Sequence, residues 1–268
     1  FGSPLGGSWL GLLAEQGFEL TSDTDRPADV VLDSFGIMHE PDQRAAFAQR
    51  AAATASDGVL LLQYHSLAAI VAEGQWNALR HGHFAYYSMP SLDWQLTQAG
   101  LAIVDAWTFD LYGGTVLVAA MHTARRDLPA RSGAVDALLD AESAVWRPDG
   151  VASLQQAADT QVSGLRRWLT DRKREGLRVY GYGAASRAVA LFALAGLDRT
   201  LIGGVADASA AKQGRRMPGT DVPVISPDQL VQAEPDLVLL TLPDLLGEVS
   251  SRLGPLAGRW VVIDRLPS

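Results

Sequence analysis

A chain of 268 residues with 48% hydrophobic and 19% charged content buries a sizeable core in one or two domains, and that balance carries no mark of disorder. The formal charge of −8 argues against an extended nucleic-acid surface, and the lack of cysteine excludes disulfides and thiolate metal sites and fits a cytoplasmic protein. No apolar run reaches the roughly 18–20 residues of a membrane span, and FGSPLGGSWLGLL lacks the basic start and cleavage site of a signal peptide.

Taken in chain order, two α/β blocks are expected, over residues 1–125 and 126–268. In the first, ADVVLDSFG reads as a buried strand, and PDQRAAFAQRAAATASDG (41–58) as an alanine-rich helix with Pro41 in its first turn and Gly58 as its C-cap. VLLLQYH (59–65) is the next strand, and SMPSLDWQLTQAGL (88–101) a helix that starts at Ser88 and stops at Gly100. AIVDAWTFDLYGGTVLVAAMH (102–122) predicts two antiparallel strands around Gly113-Gly114. Two stretches between 134 and 176 have helical apolar spacing, and the second ends in Arg172, Lys173 and Arg174, as suits a helix C-terminus.

The second block opens with a strand, a glycine turn and a helix in LRVYGYGAASRAVALFALAGL (177–197). LIGGVADAS, PVIS, DLVLLTLP and RWVVIDRL supply further short strands, so the fold class is α/β with two Rossmann-like open sheets. GYGAAS (181–186) lies where backbone N–H groups hold a phosphate, and Asp207 ends the second strand where a ribose-binding acid would sit. The third glycine of a dinucleotide fingerprint is replaced by Ser186, with Arg187 after it. Dinucleotide binding, a structural tight turn and another phosphate-bearing ligand all stay open. Lys212, Arg215 and Arg216 form a basic loop that is either solvated or part of such a site.

Four of the five histidines fall between positions 39 and 83. His39 and His65 each follow a strand, and ligands of open α/β sheets bind at the carboxyl ends of strands. His81 and His83 lie in RHGHFAYYS, ahead of a helix. None of these stands at the i, i+4 spacing of a helical zinc pair, so no metal is assigned, and general acid–base work suits imidazoles better.

FGIMHEPD, QWNALRHGHFAYYS, DLYGGTVLVAA, VYGYGAASR and AKQGRRMPGTDVPVISPDQL occur in that order. Together they resemble the sugar C-methyltransferases of antibiotic biosynthesis, from about residue 28 onward. The resemblance implies an S-adenosylmethionine-dependent enzyme that methylates carbon beside a ketone of a nucleotide diphosphate sugar. It implies three parts: a cysteine-rich zinc domain absent here, a methyltransferase domain matched in its later half by the first block, and a Rossmann-like C-terminal domain. His83 takes the place of the general base, His81 also matches, and His39 matches a second active-site histidine. Arg80 stands where the family keeps tyrosine and Gly82 where it keeps glutamate; Arg80 is assigned to the enolate oxygen. Arg187 replaces a family lysine, while Lys212 and Gln213 match.

The cofactor is assigned to Gly6 and Gly7 of the amino-terminal turn and to Ser34 and Phe35, and the substrate to Tyr86, Tyr87, Tyr112, Gly113, Gly183, Arg187 and Lys212. About twenty residues separate the glycine turn from ADVVLDSFG, fewer than the roughly thirty of a crossover unit, so one helix–strand segment is missing. Two rivals keep the same residues: an isomerase or epimerase using the histidine base, and a non-catalytic binding descendant.

Overall fold

The computed structural model describes residues 1, 9–21, 26–79, 81–111 and 113–266. It divides into two compact units, Phe1–Gln75 with His81–Ser153 and Trp76–Arg80 with Leu154–Ser268. The division falls at Ser153, so residues 126–152 pack with the first unit rather than opening the second.

The first unit holds α1 (Leu10–Glu15), β1 (Ala28–Ser34), α2 (Gln43–Ala53), β2 (Thr54–His65), α3 (Leu67–Ala72), α4 (Met89–Gln98), β3 (Leu101–Phe109), β4 (Thr115–His122) and α5 (Gly133–Ala141). Its sheet has the order β1-β2-β4-β3. β1 and β2 are parallel, and β4 runs antiparallel to both of its neighbours. Among the described residues, the short helix α1 lies between Phe1 and β1 in the chain. Phe1 donates its amino group to Leu32 O at 2.8 Å, and its carbonyl accepts from Ser34 N at 3.2 Å. This is a parallel bridge on the outer edge of β1, opposite Asp33.

Local chemistry explains the element ends. α2 starts where Asp42 accepts from Ala45 N at 3.0 Å, an N-cap bond. It stops at Ala53, earlier than the alanine-rich sequence predicts, and Gly58 is no helix cap. The reason is Thr54, whose hydroxyl donates to Arg50 O at 2.8 Å while its own backbone joins β1 opposite Ala28. The strand then bulges before regular pairing resumes at Val59. α4 opens with a capping box of Ser88 and Ser91, and Met89, Leu92 and Leu96 bury one face. The core joins these to Phe47, Leu60, Leu62, Tyr64, Ile103 and Val118. Val135 of α5 enters the same core, and Ser132 just before it donates to Asp105 at 2.7 Å, which is why this segment belongs to the first unit.

The second unit holds α6 (Ser153–Arg174), β5 (Val179–Tyr182), α7 (Ser186–Leu194), β6 (Val205–Ala206), β7 (Val224–Ile225), α8 (Pro227–Gln232), β8 (Leu237–Leu240), α9 (Leu246–Arg252) and β9 (Trp260–Val262). All five strands are parallel, in the order β7-β6-β5-β8-β9. That is the doubly wound order expected of strands separated by helices. Both units thus carry the open α/β sheets read from the sequence.

Arg50 and Asp33 are both wholly buried and meet at 2.6 Å. Removing one partner strands a charge without water, which costs about 3–5 kcal/mol. Asp33→Ala is therefore expected to lower unfolding stability by about that amount in urea titration, and Asp33→Ala with Arg50→Met to recover part of it.

Candidate active site

The site is built at the carboxyl end of β1. Asp33 Oδ1 accepts from Gly36 N at 2.5 Å and Ile37 N at 3.1 Å, turning the chain sharply after the strand. Phe35 adopts φ +59 in that turn, a conformation held here by its N–H bond to Gln63 O at 3.1 Å. The turn runs into a single 3-10 turn, Ile37–His39, which delivers His39. Gln43 closes it from the other side, its amide nitrogen donating to Ile37 O at 2.9 Å and Glu40 O at 2.5 Å. Arg50 reaches Glu40 at 3.3 Å besides Asp33, and its guanidinium lies 4.4 Å from the centre of the Phe1 ring.

The segment RHGHFAYYS docks on this turn. Phe84 N donates to Met38 O at 2.7 Å. The His39 and His83 rings meet edge to face at 4.8 Å between centroids, and His83 stands 5.5 Å from the Tyr86 ring. His39 Nδ1 is 3.0 Å from Gly82 O. A carbonyl only accepts, so Nδ1 is the donor and the neutral imidazole keeps its lone pair on Nε2. The contact therefore both fixes the His39 tautomer and ties the two histidine segments together. Tyr87 is buried, donates its hydroxyl to Gln43 Oε1, and has its ionisation pushed far up by burial.

The other expected residues are placed as follows. His81 is exposed, and no contact joins it to the His39–His83 pair among the described residues. Arg80, Tyr112, Gly6 and Gly7 lie outside the described residues. Ser34 closes β1 and donates to Gln63 Oε1 at 3.1 Å. His65 ends β2 and is buried. Gly113 has φ +78, and the Gln75 side chain occupies the space a Cβ would take, so close packing by the chain itself already demands glycine there.

In the second unit, Gly183 has φ +96, and a Cβ would stand 2.6 Å from Thr241 Oγ1. The Thr241 hydroxyl donates to Gly183 O at 2.5 Å. Arg187 sits in the first turn of α7. Asp207 is buried at the end of β6, but its carboxylate is engaged: it accepts from Ala184 N at 2.9 Å, Ser209 N at 2.9 Å and Lys212 Nζ at 3.0 Å. Lys212 also donates to Ala184 O at 3.1 Å. An acid holding this lysine and the N–H of the glycine turn is not poised to take a ribose diol as in a dinucleotide site. The arrangement favours a structural turn or another phosphate-bearing ligand over NAD.

Sequence reasoning passed over Gln43 and Glu142. Glu142 is buried after α5 and accepts from Ser66 Oγ at 2.8 Å and Met89 N at 2.5 Å. Ser66 caps α3 and pairs with Tyr87, and Met89 starts α4, so one carboxylate clamps the return of the histidine segment to the sheet. An acid 53 residues from its backbone donor leaves no local pattern in a sequence. Burial raises the Glu142 pKa, and the Met89 and Ser66 bonds only partly oppose this. A raised folded pKa means stability present below the ordinary value is lost as pH climbs through the folded one. Relative to Glu142→Gln, the parent chain is expected to lose unfolding free energy as pH climbs above the ordinary glutamate pKa, read by urea titration at each pH.

The family described as "C-methyltransferase C-terminal domain" matches residues 110–262, more than half of the chain. That described as "Methyltransferase domain" matches residues 7–106. The C-methyltransferase NovU of Streptomyces niveus is 30% identical over 203 residues, which cover 75% of this chain and 48% of the relative. The chain thus spans about half the length of that curated relative. A solved chain from a study of the conversion of a disulfide bond into a thioacetal group during echinomycin biosynthesis is 14% identical. The match covers 50% of this chain and 66% of that one, with a TM-score of 0.27. On the two family matches, taken with the ordered motifs and the histidine pair, the chain belongs to the C-methyltransferase family.

Proposed function

We propose that this chain carries the proton-abstracting part of an S-adenosylmethionine-dependent C-methyltransferase that acts on carbon beside a ketone. The observation that carries the reading is the His39–His83 pair at the carboxyl end of β1, with rings 4.8 Å apart. Carbon acids of this kind need a base whose pKa lies near neutrality, and imidazole is such a base. His83 takes the substrate proton, leaving an enolate whose carbon is the nucleophile. His39, with Nδ1 committed to Gly82 O, holds the His83 segment in place. A charged imidazole beside the enolate also offsets its developing negative charge. Tyr86, whose ring lies against His83, is assigned to the acceptor in this reading.

The cofactor is assigned to Gly6, Gly7, Ser34 and Phe35. Ser34 and Phe35 lie at the carboxyl end of β1, where ligands of open α/β sheets bind, in a turn with positive φ. When bound, S-adenosylmethionine supplies an electrophilic methyl group on sulfonium sulfur. A nucleotide diphosphate sugar is the acceptor this reading favours. In the second unit, Arg187 and Lys212, with Gly183 in the turn before them, are assigned to a phosphate-bearing ligand; Lys212 would exchange its pair with Asp207 for the phosphate. Among the described residues no helix is long and apolar enough to cross a membrane, and a cytoplasmic place of work belongs to the same reading.

Isothermal titration of the full chain with S-adenosylmethionine tests the cofactor assignment. Absence of heat at millimolar ligand would sink it, and proton exchange into a ketone substrate without methyl transfer would point to an isomerase. His83→Ala is expected to reduce turnover by about 10²- to 10⁴-fold while cofactor affinity stays within about twofold. Unchanged turnover would remove His83 as the base.

A further inference from the structure

A series of contacts that closes on itself inside the first unit holds His39 against His83. Gln43, the first residue of α2, donates its amide nitrogen to Ile37 O at 2.9 Å and to Glu40 O at 2.5 Å. Those two carbonyls bracket His39 in the chain. Carbonyls only accept, so the group facing them is the amide nitrogen, and Oε1 is left as the acceptor. The Tyr87 hydroxyl is therefore the donor in its bond to Gln43 Oε1. Burial pushes the Tyr87 ionisation far up, so the hydroxyl keeps the proton it donates.

Tyr87 is itself a fixed post. Its ring is buried and meets Phe47 edge to face at 5.8 Å and Tyr64 at 6.4 Å between centroids. Its carbonyl accepts from Leu67 N at 2.8 Å, and its backbone bridges to Ser66 just beyond β2. His83 stands four residues before it. Gly82 O, one residue earlier still, accepts from His39 Nδ1 at 3.0 Å. The circuit runs from Tyr87 through Gln43 to the His39 turn, across to Gly82, and back along the chain through His83 to Tyr87.

We infer that Gln43 and Tyr87 are positioning residues for the His39–His83 pair: their hydrogen bond sets the turn that bears one histidine against the segment that bears the other. Neither side chain has to touch a reacting molecule to do this. Without Gln43, two turn carbonyls and a buried hydroxyl lose their partners, and the turn shifts to satisfy them. The His39 bond to Gly82 O then weakens, because it depends on where the turn sits. The inference rests on the functional reading above only for what the pair does, not for how it is held.

The test uses two variants of the full chain, labelled with ¹³C and ¹⁵N in the histidine rings and followed by NMR across pH. Tyr87→Phe keeps the buried ring and removes the donor. Gln43→Met keeps the side-chain length and removes every bond, while Asp42 still caps α2 through Ala45 N at 3.0 Å. In the parent chain, neutral His39 carries its proton on Nδ1, which the ring nitrogen shifts report. In each variant His39 is expected to lose part of that preference, and its titration midpoint to move by on the order of 0.3 unit, about twofold in proton affinity. His122, bonded to Thr54 O where β2 begins, stays fixed. An unchanged His39 tautomer and midpoint in either folded variant would overturn the inference. An equal shift of His122 would overturn it too, since that marks general loosening. Gln43→Met, at a half-buried position, decides the matter if Tyr87→Phe fails to fold. Selective His39 changes in a chain that gives no heat with S-adenosylmethionine keep the positioning role and reject the functional reading. Heat with that cofactor and an unmoved His39 does the reverse.

Discussion

Asp33 and Arg50 meet with neither side chain exposed, and an ion pair in that position has no water to replace a lost partner. Its value lies less in net stability than in direction. One Asp33 oxygen holds Arg50 while the other holds the two N–H groups that turn the chain after β1. The same guanidinium reaches Glu40 just beyond that turn and lies over the ring of Phe1. One buried pair therefore sets the edge of the sheet, the bend at Phe35 and the start of the turn that carries His39.

Other side chains build outward from that frame by the same logic of satisfied buried groups. Gln43 gives its amide nitrogen to two turn carbonyls and its oxygen to Tyr87, so the His39 turn and the aromatic end of RHGHFAYYS are fastened through one residue. Glu142 fastens the far end of that segment through Ser66 and Met89. Polar networks of this kind tolerate little displacement, because each broken bond leaves a desolvated atom behind. In the second unit a comparable network does the opposite work. Asp207, Lys212 and the glycine turn satisfy one another, so the acid that a dinucleotide fold would turn toward ribose is occupied by the chain's own lysine.

Much of this was legible in the residues alone. Apolar runs ended by small or polar residues located the strands, and glycines at positive φ marked the turns. The ordered motifs separated a methyltransferase reading from a generic α/β one. Where local reasoning failed, a distant partner had decided the outcome. α2 stops at Ala53 because Thr54 joins β1, a choice no alanine-rich window reveals. The sequence groups residues 126–152 with the second block, yet Val135 lies in the first core.

What the chain's own chemistry determined was therefore the α/β grammar, the doubly wound second sheet and the histidine-bearing segments, because periodicity and turn residues are local properties. Which histidines meet was settled only by tertiary structure. His39 and His83 are 44 positions apart and touch, while His81, two residues from His83, stays in solvent. The reason is that the turn held by Asp33 and Gln43 offers a carbonyl to Phe84 N and a ring nitrogen to Gly82 O, and only one histidine of that segment fits between the two bonds.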